Sequence, residues 1–211
     1  QYKQVLETCR KNPIWFMQEI LGIKHIWSKM TEIIESVRDY RQNVVKAGYS
    51  VSKSYTAACI AIWFLSVYKD SIVITTAPTA TQVEDILWAE IRQIYNNAKV
   101  PLGGRVLLTE IRKAEKWFAL GLSPKHDIKT EGVRFQGFHA PHILIIFDEA
   151  PGITSVFYDA VEGLMSSSHA RWLCIGNPIS DNDRFAKLFK TKGWIGHTIS
   201  CLECPNVVQN K

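Results

Sequence analysis

With 211 residues, 46% of them hydrophobic and 21% charged, the chain suits one domain with a proper core and is too apolar for a disordered tail. Its net charge of +5 is a mild basic excess, compatible with a polyanionic partner and equally with a solubilising surface. The sequence opens on Gln1 with no secretory leader, and its longest uncharged apolar run, Ala57 to Tyr68, falls short of the roughly 18 residues of a membrane span, so a soluble protein is expected.

In chain order, a helical region is expected from Gln4 to Leu21, interrupted at Asn12-Pro13, with Pro13 placed to start a second helix. A helix over Lys29 to Arg38 would put Met30, Ile33, Ile34 and Val37 on one face. A short strand, Asn43 to Lys46, leads through a glycine-bearing turn into an apolar helix, Lys53 to Val67. Ser71 to Thr75 reads as a buried strand closed by Ala77-Pro78, followed by an amphipathic helix, Gln82 to Asn96, with Val83, Ile86, Leu87, Ile91 and Ile94 inward. Alternation over Val106 to Ile111 and Lys116 to Leu120 predicts antiparallel strands within a segment running from Arg105 to Arg134. Ile143 to Phe147 and Arg171 to Ile175 are continuous apolar strands, each followed by a helix, Ser155 to Met165 and Asp183 to Phe189. From His197 onward the chain reads as a sheet edge running into a linker.

Strands alternating with helices predict a mainly parallel sheet covered on both faces, an α/β sandwich with a small antiparallel insertion. The cysteines, Cys9, Cys59, Cys174, Cys201 and Cys204, are odd in number and irregular in spacing, which argues for a reducing compartment and against a disulfide framework. His197 beside Cys201 and Cys204 brings zinc to mind, but a fourth ligand at suitable spacing is missing.

Three places carry chemistry. Ala47-Gly48-Tyr49-Ser50-Val51-Ser52-Lys53-Ser54 lies between a strand and a helix, with Lys53 and Ser54 at the lysine and hydroxyl positions of a phosphate-binding loop. Ala47 and Ser52 stand where that pattern has glycines; Gly48 would restore part of the backbone freedom, and a side chain at Ser52 would crowd the loop. Taken alone, Lys53-Ser54 is also an ordinary surface pair. Asp148 and Glu149 follow the apolar strand, at the edge where open α/β sheets bind ligands. There Asp148 would hold Mg²⁺ together with Ser54, and Glu149 would orient and deprotonate a water. Asn177, in Gly176-Asn177-Pro178 at the next strand end, would sense the γ-phosphate, although Asn-Pro is an ordinary turn starter as well.

Lys53-Ser54, Thr76-Ala77-Pro78-Thr79, Asp148-Glu149-Ala150 and Gly176-Asn177-Pro178, in this order, resemble the large terminase subunits of tailed bacteriophages. Flanking text agrees: Asn12-Pro13-Ile14-Trp15-Phe16, Ile26-Trp27-Ser28-Lys29, Gln136-Gly137-Phe138-His139 and Pro205-Asn206-Val207. The resemblance covers nearly the whole chain. It implies a P-loop NTPase three-layer αβα sandwich, with residues 1–200 an ATPase domain, residues 1–40 its helical N-terminal segment, and residues 201–211 the start of a linker towards a nuclease domain. It further implies ATP and Mg²⁺, double-stranded DNA, a portal protein and a small terminase subunit as partners, and a homo-oligomeric ring at the procapsid in the host cytoplasm. No membrane and no nuclease activity of this chain are expected. Relatives carry Gly at the Ser52 position and often an adenine-contacting Gln near the place of Met30. Arg134 matches the region where some members place an arginine finger acting on a neighbouring subunit, though pairing with Glu131 accounts for it too. A helicase-like ATPase and a degenerate P-loop module that binds without hydrolysis are the alternatives.

Overall fold

The computed structural model describes residues 2–48, 51–122, 137–166 and 169–208. Helix α1 (Tyr2–Lys11) ends in Arg10 and Lys11, basic residues that complement the carbonyl end of the helix dipole. The Asn12 side chain then accepts the Trp15 N–H and Pro13 opens the next turn (α2, Pro13–Trp15), as the Asn-Pro pair predicts. This N-terminal segment is anchored on the central helix α4 (Lys53–Val67): the Trp63 indole donates to the Cys9 carbonyl and Arg10 to that of Val67. In α3 (Ser28–Asp39), Met30, Ile33, Ile34 and Val37 are buried, the face the spacing predicts. Every residue of α4 from Thr56 to Leu65 is buried, which is why its apolar residues show no stripe.

Strand β1 is Gln42–Ala47 and β2 is Ser71–Thr76. After β2, Thr79 and Gln82 form a reciprocal cap: the Gln82 N–H donates to the Thr79 hydroxyl oxygen and the Thr79 N–H to the Gln82 amide oxygen. The helix that follows departs from the expected phase. Gln82–Leu87 winds in wider π-type turns before α5 (Trp88–Asn96), so Val83, Leu87, Ile91 and Ile94 are buried as expected while Ile86 is 48% exposed. The 3.6-residue period that put Ile86 inward does not hold across a widened turn, and Trp88 and Tyr95 join the buried face instead.

The antiparallel segment also differs from its expected form. In place of one strand over Val106 to Ile111 there are two, β3 (Arg105–Val106) and β4 (Glu110–Ala114), because the Leu107 N–H closes a turn onto the Glu110 carbonyl. Strand β5 (Trp117–Leu122) pairs antiparallel with β4 and parallel with β2. The antiparallel strands form one edge of the main sheet. Its expected continuation to Arg134 lies outside the described residues.

Strands β6 (His142–Asp148), β7 (Ala170–Gly176) and β8 (Ile195–Ile199) complete an eight-stranded sheet in the order β3-β4-β5-β2-β6-β7-β1-β8, parallel from β5 to β8. Alternate residues of each inner strand serve opposite cores. Val45, Val73, Leu144, Ile146, Leu173 and Ile175 pack towards α3, α4 and α5. Val44, Ile72, Ile74, Ile145, Phe147 and Trp172 pack on the other side with α6 (Ser155–Leu164) and α7 (Arg184–Leu188). Two buried faces explain the continuous apolar strands. Parallel pairing also brings the carboxyl ends of β1, β2, β6 and β7 to one edge.

Candidate nucleotide site

At that edge β1 ends in buried Ala47, and the Gly48 N–H donates to the Ile199 carbonyl of β8 over 3.2 Å. Tyr49 and Ser50 lie outside the described residues; Val51 is buried. Ser52 takes the left-handed conformation, φ 61° and ψ 33°, immediately before α4. Among the described loop residues it is therefore Ser52, and not Gly48, that makes the left-handed turn, because the chain must reverse into the helix at that residue. Its carbonyl accepts both the N–H (2.9 Å) and the hydroxyl (2.8 Å) of Thr56, which secures the conformation despite the side chain.

The Lys53 ammonium donates to the Gly48 carbonyl at 2.9 Å and lies 3.5 Å from the Glu149 carboxylate. The Ser54 hydroxyl donates to Oδ2 of Asp148 at 2.6 Å, while Oδ1 accepts the Glu149 N–H at 3.1 Å. Lys53-Ser54 at the start of α4 and Asp148-Glu149 at the end of β6, far apart in sequence, thus form one cluster. Asp148 is only 2% exposed, and that burial raises its pKa from the usual carboxylate range to about 6. The Ser54 hydrogen bond opposes the rise, the Glu149 charge adds to it, and the Glu149 N–H and Lys53 oppose it further.

Glu149 is itself left-handed, φ 48° and ψ 45°, an unusual backbone state for a residue with a side chain and one that concentrates at functional sites. Hydrogen bonds on both sides fix it. Its carbonyl accepts the Gly152 N–H, and the next carbonyl, of Ala150, accepts the Ile153 N–H and the Tyr158 hydroxyl. Strand β7 lies between β6 and β1, so Asn177, half-buried just past β7, stands between the carboxylates and the loop. The turns are in close contact there: a Cβ on Gly176 would meet Pro151 Cδ at 2.4 Å, and one on Gly152 would meet Pro78 Cγ at 2.6 Å. Ala77-Pro78, Ala150-Pro151-Gly152 and Gly176 therefore pack as one unit.

A cavity of about 760 Å³ adjoins the loop, with Trp27, Met30, Ser52, Tyr55, Gln93 and Cys204 on its walls. Arg134 and Gln136 lie outside the described residues. His197 sits between Glu32 (2.8 Å) and Ser36 (2.9 Å), and this joins β8 to α3. Tyr158 and Thr56 are the supporting residues that sequence reasoning missed. Each acts on a backbone carbonyl, a contact that leaves no motif.

A mostly parallel sheet with a phosphate-type loop, a lysine, a hydroxyl and a strand-end carboxylate pair at one edge is the architecture of P-loop NTPases. Comparison with known proteins narrows the class. No family model matches the sequence. The chain is 23% identical over 200 residues to the probable large terminase subunit of Enterobacteria phage P7, a match that takes in 88% of this chain and 38% of that protein. It thus spans well under half of that relative. In structure it matches the large terminase ATPase domain of Thermus phage P74-26 with a TM-score of 0.71, at 18% identity, over 92% of this chain and 88% of that one. It matches the large terminase of a thermophilic bacteriophage, in complex with ADP, at 0.63, with 10% identity over 87% of this chain and 48% of that one. For the HK97 bacteriophage large terminase the score is 0.62, with 12% identity over 82% and 39%. The chain has the fold of large terminase ATPase domains.

Proposed function

We propose that this chain is the ATPase motor domain of a phage large terminase, hydrolysing ATP to drive double-stranded DNA into a procapsid. The convergence of Lys53, Ser54, Asp148 and Glu149 within hydrogen-bonding or ion-pair distance at one sheet edge carries the proposal.

In this reading the loop from Ala47 to Ser54, Tyr49 and Ser50 included, surrounds the phosphates. Lys53 exchanges its Gly48 carbonyl partner for β- and γ-phosphate oxygens. The Ser54 hydroxyl and the Asp148 carboxylate are adjacent hard oxygen donors, the set that suits Mg²⁺, and they would hold it. Bound there, the ion neutralises charge on the phosphate oxygens. Glu149, aimed across the site at Lys53 and partly open to solvent, orients the attacking water and takes its proton. Asn177 contacts the γ-phosphate or that water, and the cavity beside Ser52 takes the base between Trp27, Met30 and Tyr55. Arg134 is the candidate arginine finger acting in trans in a homo-oligomeric ring. The same reading places the protein in the host cytoplasm, with portal protein and small terminase subunit as partners. The Lys53–Glu149 approach favours hydrolysis over a binding-only module, for which a base beside the lysine has no use.

Glu149→Gln keeps the shape and removes the base. ATP should still bind while steady-state hydrolysis falls by about 100-fold or more; unchanged turnover would overturn the reading. For the ring, inactive Arg134→Ala and Glu149→Gln subunits should recover activity when mixed, and no recovery under conditions where wild-type subunits assemble would remove the trans finger.

A further inference from the structure

Two of the cysteines, in Cys201-Leu202-Glu203-Cys204, stand beside the phosphate loop, and neither has a part in the chemistry above. The other three, Cys9, Cys59 and Cys174, are buried in the cores. Cys201 opens a single turn in which the Ser200 side chain accepts the Leu202 N–H, while the Glu203 carboxylate accepts the Ser200 N–H. The Cys204 N–H returns to the Cys201 carbonyl at 3.3 Å. A turn closed this way brings the two Cα atoms within about 7 Å and sets i and i+3 on one side. That spacing reaches into the range a disulfide spans without backbone rearrangement.

The turn touches the nucleotide site from both ends. A Cβ on Gly48 would lie 3.4 Å from Cys201 Cβ and 3.5 Å from the Cys201 nitrogen, so the turn stands about one methyl group away from Gly48, whose N–H is held by Ile199 just before the turn. Cys204 lines the cavity together with Ser52 and Met30. Cys201 is exposed, and a reagent can reach it from solvent.

We propose that Cys201 and Cys204 form a dithiol site at which thiol–disulfide exchange controls nucleotide binding; the effect on binding rests on the functional reading above. The co-reactant is a low-molecular-weight disulfide, RSSR. The Cys201 thiolate attacks one of its sulfurs, forming a mixed disulfide and expelling RS⁻, which takes up a proton. The Cys204 thiolate attacks the Cys201 sulfur, closes the Cys201–Cys204 bond and expels the second RS⁻. Two protein thiols are oxidised and one disulfide is reduced to two thiols.

The physical effect follows from Gly48. Its carbonyl holds Lys53 and its N–H is held by Ile199, so in the reading above phosphate binding requires Lys53 to leave a carbonyl whose backbone is tied to β8. Cross-linking the turn beside Gly48 stiffens the backbone next to the carbonyl that Lys53 must leave, and binding weakens.

The protein is equilibrated in glutathione buffers of increasing oxidised fraction. Peptide mass mapping locates any loss of two hydrogens, and a fluorescent ADP analogue with Mg²⁺ is titrated against each state. The expected result is a disulfide confined to the Cys201–Cys204 peptide and an affinity loss of about tenfold, ordinary for coupling between two sites. A reducing agent should reverse it, and the Cys201→Ser, Cys204→Ser double variant should bind alike in every buffer. No disulfide, a disulfide without an affinity change, or the same loss in the double variant overturns the proposal. Failure of the reduced protein to bind the analogue sinks the functional reading, and this inference with it.

Discussion

The Tyr158 hydroxyl donates to the Ala150 carbonyl over 2.8 Å, one residue beyond the left-handed Glu149. The Tyr158 ring is clamped edge-on against Phe147, 5.1 Å away, and tilted against Trp172 at 5.7 Å. Burial raises the phenol pKa, so the hydroxyl remains a donor. Tyr158→Phe keeps the ring packing and leaves the carbonyl only its Ile153 N–H partner. Stability should fall by about 1 kcal/mol. If the bond aims Glu149, kcat should drop about tenfold with little change in KM. Steady-state kinetics well below the melting temperature, beside a melting curve, separate the two effects; an unchanged kcat would leave Tyr158 a core residue only.

Asp148 gives a pH dependence of defined sign. Its pKa is raised from 3.8 to about 6, so between those values the folded protein binds a proton that the unfolded chain has released. Its contribution to stability therefore falls as pH rises through that window, by on the order of 2–3 kcal/mol, and is level above it. Carboxylates held below their usual pKa, among them Glu32 beside His197 and Asp39 beside Arg38, give the opposite slope at lower pH. Urea unfolding of wild type and Asp148→Asn from pH 4 to 7 isolates the difference. Stability curves that stay parallel would refute the elevated pKa.

Ser52→Gly should help rather than harm. Serine in the left-handed region costs roughly 1–2 kcal/mol, and glycine gives back part of that gain through its freer unfolded chain. A net gain of about 0.5–1 kcal/mol is expected, about 2 °C in melting temperature at this size. Calorimetric titration should also show tighter ADP binding, since glycine lets the backbone approach the phosphates more closely. A lower melting temperature would mean that the Ser52 side chain makes contacts that outweigh its backbone strain.

The widened turn between Gln82 and Leu87 predicts unequal effects for two neighbouring apolar residues. Leu87 is fully buried and its change to Ala should cost about 3 kcal/mol, whereas Ile86→Ala should stay within about 0.5 kcal/mol. Chemical denaturation of both variants checks the phase; comparable losses would put Ile86 back in the core.

Sequence periodicity and order were enough for the α/β alternation, the buried face of α3, the span of α4 and the identity of the residues that meet at the site. Strand length, apolar runs and cap residues are local properties, and Lys53-Ser54 and Asp148-Glu149 sit where the chain leaves or enters an element, so their patterns survive without tertiary information. What failed were phases set by non-local packing. Ile86 faces solvent because the helix widens where Trp88 packs under Gly121 and its indole donates to Thr75. The antiparallel strands were legible as such, but that β5 pairs with β2 was not, since no alternation pattern encodes a partner.

Residue type and local period settle which groups are present and that each stands at the end of an element, and both are readable along the chain. How those groups meet depends on packing. Strand order put β7, and with it Asn177, between the carboxylates and the loop, since adjacency in a sheet is independent of distance along the chain. Burial decided that Asp148 and Glu149, consecutive and both acidic, differ: one is enclosed and raised in pKa beneath the Ser54 hydroxyl, the other is turned by a left-handed backbone towards Lys53 and solvent.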